Sequence, residues 1–305
     1  QDPDRRRRVR LLTMRERGPP TERDPATLLE FGVVNLDKPP GPSAHQVAAW
    51  VRDMAGVDRA AHAGTLDPKV TGCLPILTGT ATRAAQVFDD SRKGYVAVLE
   101  AHGRLPADFE STLSAFETDL YQKPPRKSAV VRRLRTRKIH RLEALEREER
   151  RALLDIECAS GTYVRKLCHD LGLALGTGAH MGDLRRTKTA GFTDATLSTM
   201  EDLADGLAFW RESDDADLLR EVVSPAERAL EGLPELTVAP SAAREIAEGA
   251  PVYAPGVIDA ELAGAETDDL VACHTPDGAA VCLGHLVGDP DAASGTVVEL
   301  ERVLV

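Results

Sequence analysis

One carboxylate is singled out by its setting. In His62-Ala63-Gly64-Thr65-Leu66-Asp67-Pro68-Lys69-Val70-Thr71-Gly72-Cys73-Leu74-Pro75, two glycines and two prolines surround Asp67. An Asp before Pro is held out of the helical region, so the spacing predicts a stiff loop that could present the carboxylate as acid, base or nucleophile. An ordinary Asp-Pro turn carries the same spacing. Thr162 opens a predicted helix with Val164, Leu167, Cys168, Leu171 and Leu175 on its apolar side, which projects Arg165 and His169 together, four residues apart. Tyr95 heads a predicted strand to His102. Arg132, Arg133, Arg135, Arg137, Lys138 and Arg141 lie within ten residues, with Leu134 and Ile139 among them. That alternation suits a strand with one cationic face, which serves either solvation or a phosphate track. Cys273-His274 with Cys282 and His285 is the one set of soft ligands, but its alternation with apolar residues marks strand positions rather than a zinc site.

The elements that must hold these groups follow from periodicity and punctuation. Gly32-Val33-Val34-Asn35-Leu36 reads as a short buried strand broken by Lys38-Pro39-Pro40-Gly41-Pro42. Ser43 caps a helix that carries Val47, Trp50, Val51 and Met54 at three- and four-residue spacings and stops at Gly56. Thr80 to Phe88 is predicted helical, and Leu153, Leu154, Ile156 and Cys158 mark a strand ended by Gly161. Glu201 to Asp217 is expected to be a connection. From about Leu236, short apolar runs around a Pro276-Asp277-Gly278 turn predict a small β-barrel. Residues 1–30, rich in Arg and Pro, are expected to form a loose arm. Strands and helices alternating without a regular crossover give an α+β class, divided into the arm, a mixed-sheet domain over 31–232 and a β-barrel over 233–305.

Composition sets the outer bounds. The 305 residues are 42% hydrophobic and 29% charged, enough for one or two packed cores. No apolar run approaches the roughly 18 residues of a membrane span, and no apolar stretch follows the N-terminal arginines, so a cytoplasmic protein without membrane attachment is expected. Five cysteines without a C-x-x-C pair argue against a disulfide framework. Charge is unevenly divided: residues 1–193 hold 33 Lys+Arg and 25 Asp+Glu, net +8, whereas 194–305 hold 5 and 24, net −19. A polyanion would therefore meet the N-terminal two-thirds. With 8 Lys against 30 Arg and an overall charge of −11, the surface is also that expected of a halophilic protein.

Four ordered segments together resemble the TruB class of pseudouridine synthases, and within it the dyskerin type of H/ACA ribonucleoproteins. They are Asn35 to Ser43, His62 to Leu74, Ser160-Gly161-Thr162-Tyr163-Val164-Arg165 with Asp170-Leu171-Gly172, and Met181-Gly182-Asp183-Leu184-Arg185-Arg186-Thr187. One departure is Ala44-His45 after Ser43, where relatives usually carry a second hydroxyl residue. The resemblance implies a pseudouridine synthase domain followed by a C-terminal PUA RNA-binding domain, and uridine isomerisation without a cofactor or metal. It implies that Asp67 is catalytic, that Arg165 orients it, that Tyr95 stacks on the extruded uracil, and that Leu184 lines the pocket floor. His62 corresponds to a residue that wedges into the T-loop in stand-alone relatives. Arg132, Arg133, Arg135, Arg137, Lys138, Arg185 and Arg186 are expected on the RNA, and Lys38, Pro39, Gly64 and Pro68 as bracing. The direct passage from Ser128 to Ile139, where stand-alone enzymes carry a longer inserted thumb, favours the guided type. Its implied partners are an H/ACA guide RNA, target rRNA and tRNA, and three small proteins, one with a zinc ribbon, one a β-barrel and one kink-turn-binding. A stand-alone tRNA T-loop enzyme and a non-catalytic RNA-binding scaffold are the alternatives.

Overall fold

The computed structural model describes residues 17–124, 131 and 133–305. The architecture is α+β, built on a ten-stranded mixed sheet and a six-stranded sheet. In the larger sheet the strands run, edge to edge, Val223–Pro225, Gly32–Lys38, Thr71–Thr78, Ala179–Thr189, Lys93–Ala101, Arg151–Cys158, Arg135–Arg147 and Asp119–Gln122. Ala60–His62 pairs with Thr71–Thr78, and Phe192–Thr193 with Ala179–Thr189. The pairings are antiparallel except for two residues of Thr71–Thr78, which run parallel to Ala179–Thr189 at Thr71↔Arg185 and Gly72↔Arg186. One apolar core gathers Val34, Leu36, Val47, Val51, Leu66, Val70, Tyr95, Leu154, Leu167, Leu171 and Leu184.

Local chemistry explains the elements around the predicted loop. Ser43 accepts a hydrogen bond from the Gln46 amide and starts the helix Ala44–Ala55, whose Ala44, Val47, Ala48, Val51 and Ala55 are buried. Gly56 closes it in the left-handed conformation, with φ 71°. The helix of the third motif runs Val164–Ala174 and buries Val164, Leu167, Cys168 and Leu171, as its spacing predicts. Gly72 is required by a close approach: a Cβ there would lie 2.3 Å from the Arg186 carbonyl oxygen, and φ is +94°.

Three expectations change. Thr71–Thr78 is a strand, so the segment read as loop up to Pro75 is extended from Thr71 onward. Cys73 to Thr78 is buried without interruption, and a continuous apolar run buried on both faces outweighs the amide that Pro75 lacks. Met200–Ser213 is a helix rather than a connection; Thr199 and Asp202 form a reciprocal capping box, and the acidic first turn suits the positive helix end. Gly206 of this helix packs against Leu219, where a Cβ would meet the Leu219 Cα at 3.0 Å. The segment from Arg17 to Glu30 is not loose. Pro25–Glu30 is helical with Leu28 and Leu29 buried, Arg23 forks onto Glu227 at 2.6 and 2.8 Å, and Arg17 donates to the Leu304 and Ala280 carbonyls. Arg5, Arg6, Arg7, Arg8 and Arg10, which gave the arm its reading, lie outside the described residues.

The six-stranded sheet runs Val252–Tyr253, Thr296–Val303, Ala280–Leu286, Leu270–His274, Glu235–Val238 and Val257–Glu261. It encloses Leu236, Val238, Ile246, Val252, Val271, Val281, Val297 and Val298. A second cluster, with Phe31, Val33, Phe192, Ala226, Ala272, Leu283 and Leu304, joins it to the larger sheet. No helix among the described residues is long and apolar enough to cross a membrane.

Candidate active site

The loop after His62 is held from beneath by buried cations. Lys38 is fully buried and its Nζ donates to three carbonyls, those of Pro39, Pro68 and Val70, each at 2.9 Å. Burial lowers its pKa, and the nearby Asp67 opposes that. The Gly41 amide also donates to the Pro68 carbonyl, at 2.8 Å, so the first motif and the Asp67 loop are sewn together. Arg186, 1% exposed, donates from Nε to the Cys73 carbonyl at 2.7 Å and from Nη2 to the Ala63 and Gly64 carbonyls at 3.2 and 3.3 Å. Gly64 holds φ at +85°, and a Cβ there would lie 3.5 Å from Arg186 Nη1. The carbonyls of this tight turn thus meet a cation instead of water, which an unpaired buried carbonyl requires.

Above this floor, Asp67 and Arg165 meet. Arg165 Nη2 lies 2.9 Å from Asp67 Oδ2, and both side chains keep access to solvent, at 39% and 49% exposure. The helix Val164–Ala174 delivers Arg165 from its first turn. That turn is tied by Gln122, which accepts from the Tyr163 amide at 2.9 Å and donates to the Tyr163 carbonyl. Tyr95 is buried and faces Arg186 in the antiparallel register, with Ala97 opposite Leu184 two pairs along and so on the same face. Residues directly opposite in such a pair share a face of the sheet, which puts Tyr95 and Leu184 on one wall. Burial pushes the Tyr95 hydroxyl above its ordinary pKa, while the Arg186 guanidinium pulls the other way. His62 Nε2 lies 2.8 Å from His45 Nδ1; burial first, then His45 and Arg186, hold the His62 pKa below its ordinary value.

The structure therefore brings Asp67, Arg165, Tyr95, Leu184, His62 and Lys38 around one loop, with Pro39, Gly64 and Pro68 as the carbonyls and turn that fix it. It does not leave Arg186 for RNA. The strand alternation that puts Arg185 outward turns Arg186 into the core, where three carbonyls occupy it. Arg185 pairs bidentately with Asp37, at 3.0 and 2.9 Å, so it too is held by the protein. Arg133, Arg135 and Lys138 are exposed along the Arg135–Arg147 strand and its approach, Arg137 lies over Gly161, and Arg132 falls outside the described residues. The sequence did not single out Gln122, Asp37 or Lys93, because their value depends on distant partners. Lys93 is buried with its Nζ on the Phe88 carbonyl, Ser91 and Thr189, and burial lowers its pKa to about 8. Cys273 and Cys282 face each other across two strands, whereas His274 approaches Glu235 at 3.6 Å and His285 the Asp268 carbonyl at 2.8 Å, so the four do not converge.

Comparison with known proteins decides the family. The family model of the TruB family pseudouridylate synthase N-terminal domain matches residues 52–108, that of the tRNA pseudouridylate synthase B C-terminal domain matches 165–231, and the DKCLD domain matches 8–48. A probable tRNA pseudouridine synthase B of Haloarcula marismortui is 67% identical over 95% of this chain and 93% of its own length. The chain belongs to the TruB family of pseudouridine synthases. A relative of the same description from Pyrococcus furiosus is 41% identical, over 94% of this synthase and 86% of the relative. Among solved structures, the synthase is similar to a chain of a Cbf5–Nop10–Gar1 complex, with TM-score 0.89, 40% identity, and coverage of 94% and 89% of the two chains. It is similar also to a chain of an H/ACA RNP bound to a substrate RNA containing 2′-deoxyuridine, with TM-score 0.87, 38% identity, and coverage of 96% and 91%. The dyskerin-type reading, the α+β catalytic domain with its C-terminal PUA module, and the assignment as an RNA pseudouridine synthase stand on these likenesses together.

Proposed function

We propose that this synthase isomerises uridine to pseudouridine under the direction of an H/ACA guide RNA, on rRNA and on the tRNA T-loop, in the cytoplasm. The Asp67–Arg165 pair at 2.9 Å, on a loop whose carbonyls are held by Lys38 and Arg186, carries the catalytic assignment. The reaction breaks the bond from the sugar C1′ to N1, turns the uracil, joins C1′ to C5, and replaces the proton lost from C5 by one gained at N1, with no net redox change. Asp67 serves either by attack at C1′ or by taking the sugar proton that leads to a glycal. Arg165 holds its carboxylate in place through the 2.9 Å contact. Tyr95 and Leu184 form the wall and floor against which an extruded uracil stacks. Extrusion costs a few kcal/mol and is cheapest in an unpaired loop.

The guide supports that loop by pairing on either side of the target, so base pairing selects the uridine and the protein reads backbone and shape. Arg133, Arg135, Arg137 and Lys138, with Arg132, form the proposed phosphate track. Likeness to chains solved with Nop10, Gar1 and substrate RNA supports RNA and protein partners generally; the partners proposed are a small zinc-ribbon protein, a small β-barrel protein and, through the RNA, a kink-turn-binding protein. The acidic module from residue 233 to 305 is proposed as the PUA domain.

The test is pseudouridine formation in high salt, with and without guide RNA and small partners. Activity that requires both supports the guided enzyme, whereas equal activity on bare tRNA installs the stand-alone enzyme in its place. Asp67→Ala should abolish product in either format while RNA binding persists; surviving activity would overturn the site.

A further inference from the structure

His45 was notable in the sequence only as part of a departure beside Ser43. In the fold it is the second residue of the Ala44–Ala55 helix, exposed, and its ring meets that of His62 edge-on, with centroids 4.8 Å apart and planes at 60°. His62 ends the short strand Ala60–His62, opposite Ile76, and leads directly into the turn that carries Asp67. Its Nδ1 is shielded from solvent and has no hydrogen-bond partner. A bare lone pair there costs less than an orphaned N–H, so the single ring proton belongs on Nε2, aimed at His45 Nδ1 2.8 Å away. His45 must then accept on Nδ1 and carry its own proton on Nε2. The other charged group bearing on His62 is the Arg186 guanidinium from the Ala179–Thr189 strand, a cation that cannot take this proton.

We infer that His45 is a positioning residue for the reaction: by accepting the His62 Nε2 hydrogen it fixes the tautomer and ring plane of His62, so that the entrance to the Asp67 loop meets RNA as a preset surface. The neutral ring offers a face for stacking on a base beside the target. Without the acceptor, His62 can turn about χ1 and χ2 and must be ordered when RNA binds, a cost paid in affinity rather than in the chemical step. This inference rests on the reading of His62 as an RNA contact.

The experiment uses the assembled particle of synthase, guide RNA and small partners, with His45→Ala, His45→Asn and Asp67→Asn compared with the wild type. Asn places an amide oxygen near the position of the His45 Nδ1 acceptor. His45→Ala should raise KM for the target RNA about three- to ten-fold with kcat little changed, and His45→Asn should restore KM. Nitrogen-15 shifts of histidine-labelled protein should show His62 as one Nε2–H tautomer in the wild type and His45→Asn, and as a mixture in His45→Ala. An unchanged KM in His45→Ala, an equal loss in both His45 variants, or a His62 tautomer indifferent to His45 would overturn the inference. Asp67→Asn separates the two layers: if it stays active the site assignment fails, whereas an inactive Asp67→Asn beside a wild-type-like His45→Ala removes the His45 role alone.

Discussion

The two sheets bury different chemistry. Every buried polar or charged side chain among the described residues (Arg23, Asn35, Lys38, Thr78, Lys93, Gln122, Arg186 and Thr189) lies before residue 190. The C-terminal module encloses an apolar interior and keeps its many carboxylates outside. Lys38 and Arg186 donate to backbone carbonyls rather than to carboxylates, and in doing so fix the turn that presents Asp67. The catalytic sheet thus spends desolvation on positioning one loop. The module spends nothing of the kind and relies on close packing.

That contrast can be broken by substitution. Lys38→Met should have the largest effect, because it strands the Pro39, Pro68 and Val70 carbonyls: about 3–5 kcal/mol of stability and on the order of a hundredfold in kcat, read by denaturant unfolding and single-turnover assay. A loss in stability without a loss in kcat would show that the loop does not depend on its brace. Next comes Arg23→Ala, at the seam where Arg23 is wholly buried against Glu227 and Glu227 also accepts from the Ala280 amide at 3.0 Å. A carboxylate left unpaired at this largely shielded, 11% exposed position should cost about 3 kcal/mol in thermal or denaturant unfolding. Within the module, Val281→Ala should cost about 1–3 kcal/mol and leave kcat in place, a separation that the same two assays resolve.

The seam also sharpens the comparison through pH. Burial alone would raise the Glu227 carboxyl, but Arg23 and the Ala280 amide overcome it and hold its pKa below the ordinary 4.5. The unfolded chain therefore takes up this proton first. The stabilisation is complete above pH 4.5 and is lost as pH falls through the lowered folded value. Glu227→Gln should flatten that part of the acid branch of a stability profile; an unchanged branch would place the acid sensitivity elsewhere. The smallest effect is expected from Arg302→Gln on the module surface, where a half-exposed pair with Glu301 at 3.2 Å should change stability by about 0.5 kcal/mol or less.

Much of the site was legible because its signals are local. Ser43 and Gly56 bracket a helix, Asp67-Pro68 stiffens a turn, and the spacing from Val164 to Leu171 faces Arg165 away from the core. The Glu201–Asp217 misreading shows the limit of composition, since the same acidic residues that look helix-breaking also cap and favour a helix N-terminus. Arg185 and Arg186 show another limit. Adjacent in sequence and equally cationic, one reaches Asp37 and the other enters the core.

The sequence by itself determined the elements bounded by local caps and breaks, the family motifs and the division between a basic catalytic part and an acidic module, because caps, turns and periodicity act within a few residues. The tertiary structure alone decided which cations are buried and which carbonyls they hold, and that His45 meets His62. Desolvation and hydrogen bonding depend on groups brought together from distant strands, and Arg186 becomes a brace only once the Ala63–Gly64 turn and the Cys73 carbonyl close over it.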